Sequence, residues 1–185
     1  MNRIRACVLA LGLLVATTVE PAQVAVAASA NELNTRGKAA LDELLARSDK
    51  ARRLNRDARA VLVFPRIVKA GVLMVGGQSG EGVLLVNGQP QGYFRISAAS
   101  FGMQAGGQTF GYALFLMNDG AVAYLREHDG WAVGSGPSVV VVDEGAARAT
   151  NTTTLREDIV AMAFNQRGLM AGLGLEGSKI TPIEK

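Results

Sequence analysis

The sequence predicts an α+β fold in which N-terminal helices pack on a strongly curved, glycine-rich, mainly antiparallel sheet or small barrel. Three observations predict it. Residues 31–59 have the periodicity of amphipathic helices, short apolar runs separated by turn signals follow from Ala60, and twenty of the 22 glycines lie between Gly71 and Gly177. Glycine within strands marks bulges, bends or close backbone approach, so many glycine-rich strands in succession indicate a curved sheet.

The first thirty residues have the features of an export signal. Two arginines among the first five residues precede the apolar run 6–16, which is shorter than the roughly 20 residues that a membrane-spanning helix needs. Residues 28–30, Ala-Ser-Ala, form a small-x-small cleavage site, and residues 25–27 form a competing one. We therefore expect a signal peptide over residues 1–30 and export to the periplasm or cell envelope, including a peripheral position on the outer membrane.

The single cysteine, Cys7, lies before the apolar run. A lipoprotein needs its acylated cysteine after that run, at the cleavage site, so the sequence predicts no standard lipid-attachment signal. Cleavage would leave a chain without cysteine. Disulfides, thiolate catalysis and cysteine metal sites are therefore not expected in the mature protein.

Residues 31–59 are expected to form an amphipathic helical segment that folds as one unit with a β-rich domain over residues 60–185. A first helix is predicted from Asn31 to Arg47, because its apolar residues share one face at 100° per residue. These apolar residues are Leu33, Ala40, Leu41, Leu44 and Leu45. A second helix is predicted in SDKARRLNRDARA, where Ser48 or Asp49 can cap the first turn.

The second predicted helix gathers its basic residues opposite an apolar side of Ala51, Leu54 and Ala58. Residues 31–69 hold ten basic and five acidic residues, whereas residues 70–185 hold seven and ten. A solvated helix face is one interpretation, and a multivalent surface for anionic lipid phosphates is the other. The residues predicted to bind lipid are Lys50, Arg52, Arg53, Arg56, Arg59, Arg66 and Lys69.

The strands are predicted in order from their apolar runs and turn residues. AVLVF reads as a short strand ended by Pro65, and Asn87-Gly88 is typical of a type I′ hairpin turn between residues 81 and 97. A helical turn is predicted over Gly120–Arg126, and a turn over Asn165–Gly168. Further strands are predicted in IVKAGVLMVGG, SFGMQAGGQ, FGYALFLM, WAVGSG, SVVVVDEG, TLREDIVAMAF, GLMAGLGL and SKITPI.

Residues suited to catalysis or cofactor binding are few. His128 is the lone histidine, no G-x-S-x-G elbow accompanies it, and no calcium-loop spacing is present, so we expect neither an enzyme nor a metal site. GLGLEG at residues 172–177 fits G-x-G-x-x-G, but the eight residues that follow are too few for a dinucleotide-binding unit. The aromatic residues are flanked by Gly, Ala, Ser and Met, with only Arg95 nearby, so nucleic acid is not an expected partner.

From about Ala58 to Ile183 the chain resembles the SYLF domain family. The resemblance rests on five ordered blocks: ARAVLVFP, VGGQSGEGVLLVNG, GYFRISAASFGMQAGGQTFGYALFLMN, DGWAVGSGPSVVVVDEG, and TTTL leading into QRGLMAGLGLEGSKITPI. It implies lipid binding without catalysis or cofactor, aided by an amphipathic helix that precedes the domain, here within residues 31–60. Eukaryotic relatives bind phosphoinositides, some fungal relatives bind actin, and many bacterial members look like envelope lipoproteins, a pattern from which Cys7 departs.

Composition and resemblance together predict an exported, non-catalytic domain that binds anionic membrane lipids through a basic helical face near its N-terminus. The alternative is a structural or protein-interaction module of the cell envelope without lipid specificity, which would bind another protein through its sheet edges.

Overall fold

A computed structural model describes residues 28–72, 75–101, 106–127, 130–133, 135–143, 157–168 and 177–185. The helices are α1 (Ala30–Arg47), α2 (Asp49–Asp57) and α3 (Asp119–Glu127). The strands are β1 (Ala60–Val72), β2 (Val75–Val86), β3 (Gln89–Phe101), β4 (Gly106–Leu116), β5 (Trp131–Ala132), β6 (Val139–Asp143), β7 (Ile159–Gly168) and β8 (Lys179–Ile183). The predicted signal sequence up to residue 27, His128 and most of GLGLEG lie outside the described residues.

Two serines set the limits of the N-terminal helices. The Ser29 hydroxyl accepts a hydrogen bond from the Glu32 N–H and begins α1, while the Ser48 N–H donates to the Leu44 carbonyl and ends it. The Ser48 hydroxyl also accepts from the Ala51 N–H, so the same residue caps α2. The two predicted helices are confirmed, and of the two predicted caps Ser48 is the one that forms; α2 ends at Asp57, before the end of the predicted helical stretch.

The described strands form one eight-stranded sheet in the order β5-β8-β3-β2-β1-β4-β7-β6. All neighbouring strands are antiparallel except β6 and β7, which are parallel. The sheet curls strongly into a half-barrel, and the three helices pack on it. The predicted fold class, α+β with helices on a curved and mainly antiparallel sheet, is confirmed.

Each face of the sheet carries its own hydrophobic core. On one face the apolar side chains of α1 and α2, such as Leu44 and Leu54, pack against Val63, Val83 and Phe115. On the other face α3 packs with Leu125 in a larger core. That core holds the aromatic residues Phe64, Phe94, Phe110, Tyr112 and Trp131. The central strands are therefore buried on both sides and are almost continuously apolar.

Pro65 does not end the first strand, contrary to the prediction. β1 continues to Val72, and its pairing shifts register near Pro65 with both neighbouring strands. Proline donates no backbone hydrogen bond, so within a sheet it is tolerated at a bulge. The bulge inverts the alternation of side chains: Phe64 and Ile67 both enter the core shared with α3, which leaves Arg66 on the side of α1.

Two asparagines in the left-handed backbone region mark the hairpin and a second irregularity. Asn87 and Gly88, with φ of 49° and 73°, form the predicted two-residue turn between β2 and β3. Asn165 has a φ of 53°, but β7 continues beyond it to Gly168 with a register shift against β4. The predicted turn over residues 165–168 is wrong, because asparagine tolerates positive φ and here produces a bulge within a strand.

Asp158 links the starts of β6, β7 and α3. Its carboxylate accepts hydrogen bonds from the Ser138 N–H at 2.9 Å, the Ser138 hydroxyl at 3.0 Å and the Asn118 amide at 2.7 Å. Asn118 in turn caps α3 by accepting from the Ala121 N–H. The hydrogen bond from the Ser138 backbone and those from the two side chains lower the pKa of Asp158, although burial opposes them.

We expect Asp158→Asn to lower the free energy of unfolding by about 1–2 kcal/mol near neutral pH, because it removes charge-assisted hydrogen bonds. The pKa of Asp158 is lower in the folded chain than the unfolded value of about 3.9. The stabilisation from its carboxylate is therefore present above about pH 3.9 and is lost as the pH falls through the folded-state pKa. Urea unfolding at neutral and acidic pH measures it. Asp42→Asn, on the exposed side of α1, is the matched control; an equal loss in both variants would contradict the prediction.

Close approach of backbones requires glycine at position 82. A Cβ there would lie 2.6 Å from Phe64 Cδ1 and 2.7 Å from the Val63 carbonyl oxygen, both in the neighbouring strand β1. At Gly107 an added Cβ would have one heavy atom of the described residues beyond its chain neighbours within 4 Å, the Lys69 carbonyl oxygen at 3.9 Å. We expect Gly82→Ala to cost about 1–3 kcal/mol or more in thermal unfolding, and Gly107→Ala to cost much less. A similar loss of thermal stability in the two variants would contradict the close contact with β1 as the cause.

Candidate anion-binding surface

The second helix presents arginines to solvent because its apolar side is fixed to the sheet. Ala51 and Leu54 are fully buried, whereas Arg52, Arg53 and Arg56 are exposed on the other side. The arrangement follows from the i, i+3 spacing of the two sets on a helix of nine residues. The predicted clustering of these arginines on one side is therefore present in the fold.

Arg52 has a structural task as well as an exposed position. It forms an ion pair with Asp49, and its Nη1 donates to the carbonyl oxygens of Leu45 at 2.6 Å and Ala46 at 3.3 Å. These carbonyls belong to the last turn of α1, where unpaired acceptors and the helix dipole favour a cation. Arg52 thus holds α2 against the end of α1.

Arg53 and Arg56 are the cations of α2 that remain available. They lie three residues apart on the exposed side, and no acidic side chain in the described part of the chain is within ion-pair distance of either. Arg59 lies just beyond the helix, where its Nε is 3.7 Å from the Asp119 carboxylate, and both side chains are largely exposed. An ion pair of this kind contributes little and yields readily to another anion.

Lys50 differs from its basic neighbours. The residue is only 4% exposed, and burial, followed by the charge of Arg53, lowers the pKa of its ammonium group. Its side chain therefore does not share the exposed surface of Arg53 and Arg56.

Arg66 and Lys69 lie elsewhere in the molecule. They follow the bulge in β1, and Arg66 is roughly 20 Å along the strand from Arg59 at about 3.3 Å per residue. Alternation along the strand places Lys69 on the face of Ile67, opposite to Arg66. The seven predicted residues therefore do not form one surface.

Arg66 lines a cavity of about 510 Å³ between α1 and strands β1, β2 and β3. We call it the arginine cavity, because Arg36 from α1 and Arg95 from β3 line it together with Arg66. Leu33, Pro65 and Val68 contribute apolar wall, and Ser79 and Glu81 contribute polar groups.

Glu81 is held by two cations at the edge of this cavity. Its carboxylate accepts from Arg95 Nη2 and from Lys185 Nζ, each at 2.8 Å. Lys185 also donates to the Ala28 carbonyl at 2.7 Å, which connects β8's C-terminal extension to the second residue before α1. Burial alone would raise the pKa of Glu81, but the hydrogen bonds and charges of Lys185 and Arg95 together lower it.

The described residues contain neither a helix long and apolar enough to cross a membrane nor a cluster of side chains suited to a metal ion.

Comparison with protein families identifies the second half of the chain. Residues 97–185 match the family model Ysc84, described as "Las17-binding protein actin regulator". Residues 97–185 belong to the SYLF domain family. The resemblance predicted from the sequence is thereby confirmed from the last five residues of β3 to the end of β8. The SYLF family is one of binding domains, for lipids and for protein partners. The chain matches none of the curated proteins with which it was compared.

Two of the three arginines that line the arginine cavity were not among the predicted site residues. Arg95 lies in β3, two residues before the segment that matches the SYLF family, and Arg36 lies in α1, 59 positions earlier in the sequence. The register of the sheet brings Arg95 beside Glu81 and Glu81 beside Arg66. The sequence spacing of Arg66, Glu81 and Arg95 does not indicate that they lie side by side. Their proximity follows only from the pairing register of β1, β2 and β3.

The buried position of Lys50 has a measurable consequence. Because its pKa is lower in the folded than in the unfolded chain, the free energy of unfolding should rise as the pH increases from the folded-state pKa towards the unfolded value of about 10.4. We expect Lys50→Met to abolish this alkaline rise without loss of stability at neutral pH, since methionine retains the apolar stem. Lys38→Met in α1 is the control, and urea unfolding of this variant should still show the alkaline rise in the free energy of unfolding. Absence of that rise in Lys38→Met would contradict its assignment to Lys50.

Proposed function

We propose that this SYLF protein is an exported, non-catalytic lipid-binding domain that attaches reversibly to anionic membranes through the exposed arginines of α2. One observation carries the proposal: Arg53 and Arg56 stand side by side in solvent without acidic partners in the described residues, on a helix anchored to the sheet by Ala51 and Leu54. Arg59 flanks them with an exposed and exchangeable acidic partner, and Arg52 adds its charge on the other side while its guanidinium bonds to Asp49 and to the end of α1.

The expected attachment is weak enough to be peripheral. Each basic residue near an anionic leaflet contributes about 1 kcal/mol, so two free arginines and two partly engaged ones supply roughly 2–4 kcal/mol. That free energy corresponds to a preference for anionic over neutral membrane of roughly thirty-fold to several hundred-fold. Since the attraction is electrostatic, raising the salt concentration should release the protein.

Three further features support this function. Membership of a family of lipid- and protein-binding domains favours binding over catalysis. The excess of basic residues between positions 31 and 69 favours an anionic surface as partner. The basic start, apolar run and small-residue cleavage site of the first thirty residues favour export to the periplasm or cell envelope.

A second candidate function is the binding of a protein partner along the edge of the sheet. β6 is the last strand of the described sheet, consists of four valines and an aspartate, and exposes Val141. A strand with an unpaired edge can accept another extended segment through backbone hydrogen bonds. The family description, which names a Las17-binding actin regulator, concerns protein partners of relatives.

Sedimentation with vesicles distinguishes the two candidates. We expect the protein to sediment with vesicles of phosphatidylcholine and phosphatidylglycerol, and not with phosphatidylcholine alone. Charge reversal in Arg53→Glu/Arg56→Glu removes two contacts worth about 1 kcal/mol each, so binding should weaken by roughly thirty-fold or more.

The matched control changes the same net charge elsewhere. Arg126→Glu/Lys179→Glu reverses two exposed cations on α3 and β8, away from α2, and should retain most of the binding. Thermal unfolding of both variants checks that they fold. Equal sedimentation with neutral and anionic vesicles, or equal loss in the two variants, would contradict attachment through α2. A stoichiometric protein partner without lipid affinity would support the edge of β6 instead.

A further inference from the structure

We propose that the arginine cavity is a second anion-binding site, separate from α2, which takes a phosphate-bearing ligand of headgroup size. The inference does not depend on membrane attachment through α2, because the cavity is lined by other residues. Arg36, Arg66 and Arg95 are its cations. Three guanidinium groups from three different elements at one concave site form an arrangement suited to a phosphate, whose oxygens accept paired hydrogen bonds from arginine.

The fold brings the three arginines together in two steps. The bulge at Pro65 turns Arg66 towards α1, and the sheet register then places Arg66 and Arg95 on either side of Glu81. Strands β1 and β3 are two strand spacings apart, or about 10 Å, a gap that two arginine side chains can close around one phosphate. Arg36 reaches the same cavity from the first half of α1.

The charges around the cavity do not cancel. Glu81 is shared by Arg95 and Lys185, and Arg36 pairs with Glu32 one turn earlier in α1. Arg66 is exposed, and no acidic side chain among the described residues lies within ion-pair distance of it. The charged residues that line the cavity, three arginines and one glutamate, leave an excess of two positive charges, which matches a phosphomonoester dianion.

The existing ion pairs do not prevent a ligand from entering. The side chains of Arg36 and Arg95 are 58% and 49% exposed. Ion pairs this exposed contribute little, so Arg36 can exchange Glu32 for a phosphate oxygen at small cost. Arg95 has further N–H donors besides the one bonded to Glu81 and can bind both groups.

The walls and size of the cavity define the rest of the ligand. Leu33, Pro65 and Val68 provide an apolar side against which a glycerol or other carbon skeleton can lie, and Ser79 adds a hydroxyl. A volume of about 510 Å³ is in the range of small-molecule sites and exceeds what one phosphate needs. The ligand is therefore a phosphate with a small organic group, either the headgroup of a lipid or a soluble phosphoester.

The cavity and the α2 arginines can be tested separately because they contact different parts of α1. Arg52 of α2 bonds to Leu45, whereas the cavity is lined by Arg36, nine residues earlier. The separation along the helix axis is about 14 Å.

Titration of the full chain with soluble phosphates tests the proposal. The probes are inorganic phosphate, glycerol 3-phosphate and dihexanoyl phosphatidic acid below its micelle concentration, with dihexanoyl phosphatidylcholine as the lipid that lacks a phosphomonoester. Calorimetry measures the Kd, and the Nε–Hε signals of labelled arginine show which side chains respond. We expect saturable binding of phosphatidic acid or glycerol 3-phosphate, with shifts at Arg36, Arg66 and Arg95.

Two variants and one control assign the binding to the cavity. Arg66→Gln should weaken the Kd about tenfold, and Arg36→Gln/Arg66→Gln should weaken it further, because each removes a charge-assisted contact. All three side chains are substantially exposed, so the variants should fold. Arg53→Gln/Arg56→Gln leaves the cavity intact and should keep the Kd for soluble probes, even where vesicle sedimentation is lost.

The outcomes separate the sources of phosphate and the two proposals. Tighter binding of phosphatidic acid than of glycerol 3-phosphate supports a lipid headgroup, and equal binding supports a soluble phosphoester; either supports the site. No saturable binding of any phosphate probe overturns it, as does a Kd that Arg66→Gln leaves unchanged. Loss of soluble-probe binding in Arg53→Gln/Arg56→Gln alone would also overturn it, because it would place the phosphate at α2.

Discussion

The architecture depends on the bulge at Pro65 in the central strand β1. This strand pairs with β2 and β4, and both pairings shift register there because proline donates no hydrogen bond. Without the shift, strict alternation of side chains along β1 would place Ile67 on the face that packs against α1 and α2, and Arg66 in the core shared with α3. With it, apolar side chains fill both cores and Arg66 lies beside α1. One backbone irregularity thus supports the two cores and creates the arginine cavity.

The basic residues near the start of the fold serve two different purposes. Lys50 is buried, and Arg52 bonds to the last carbonyls of α1, so both help to hold the helices in place. Arg53 and Arg56 make no such contacts with the described residues and are available for a partner. The same helix is therefore fixed to the sheet on one side and exposed to solvent on the other, where the proposed membrane contact would lie.

The two proposed anion-binding sites would reinforce each other on one molecule. Exposed arginines attract any anionic surface, whereas a cavity selects the chemical group that it encloses. If α2 attaches the protein to a membrane whose headgroups reach the cavity, those headgroups are at high local concentration, so neither proposed site needs high affinity by itself. Under both proposals attachment is reversible and selective, and each contribution depends on the salt concentration.

The sequence by itself determined the α+β class, the two N-terminal helices, the hairpin at Asn87 and the basic face of α2. These depend on local periodicity, capping and turn residues, which neighbours in the chain fix directly. The continuation of β1 past Pro65, the continuation of β7 past Asn165, the burial of Lys50 and the meeting of Arg36, Arg66 and Arg95 were decided only in the tertiary structure. Each depends on strand register or on contact between distant segments, which local sequence does not specify.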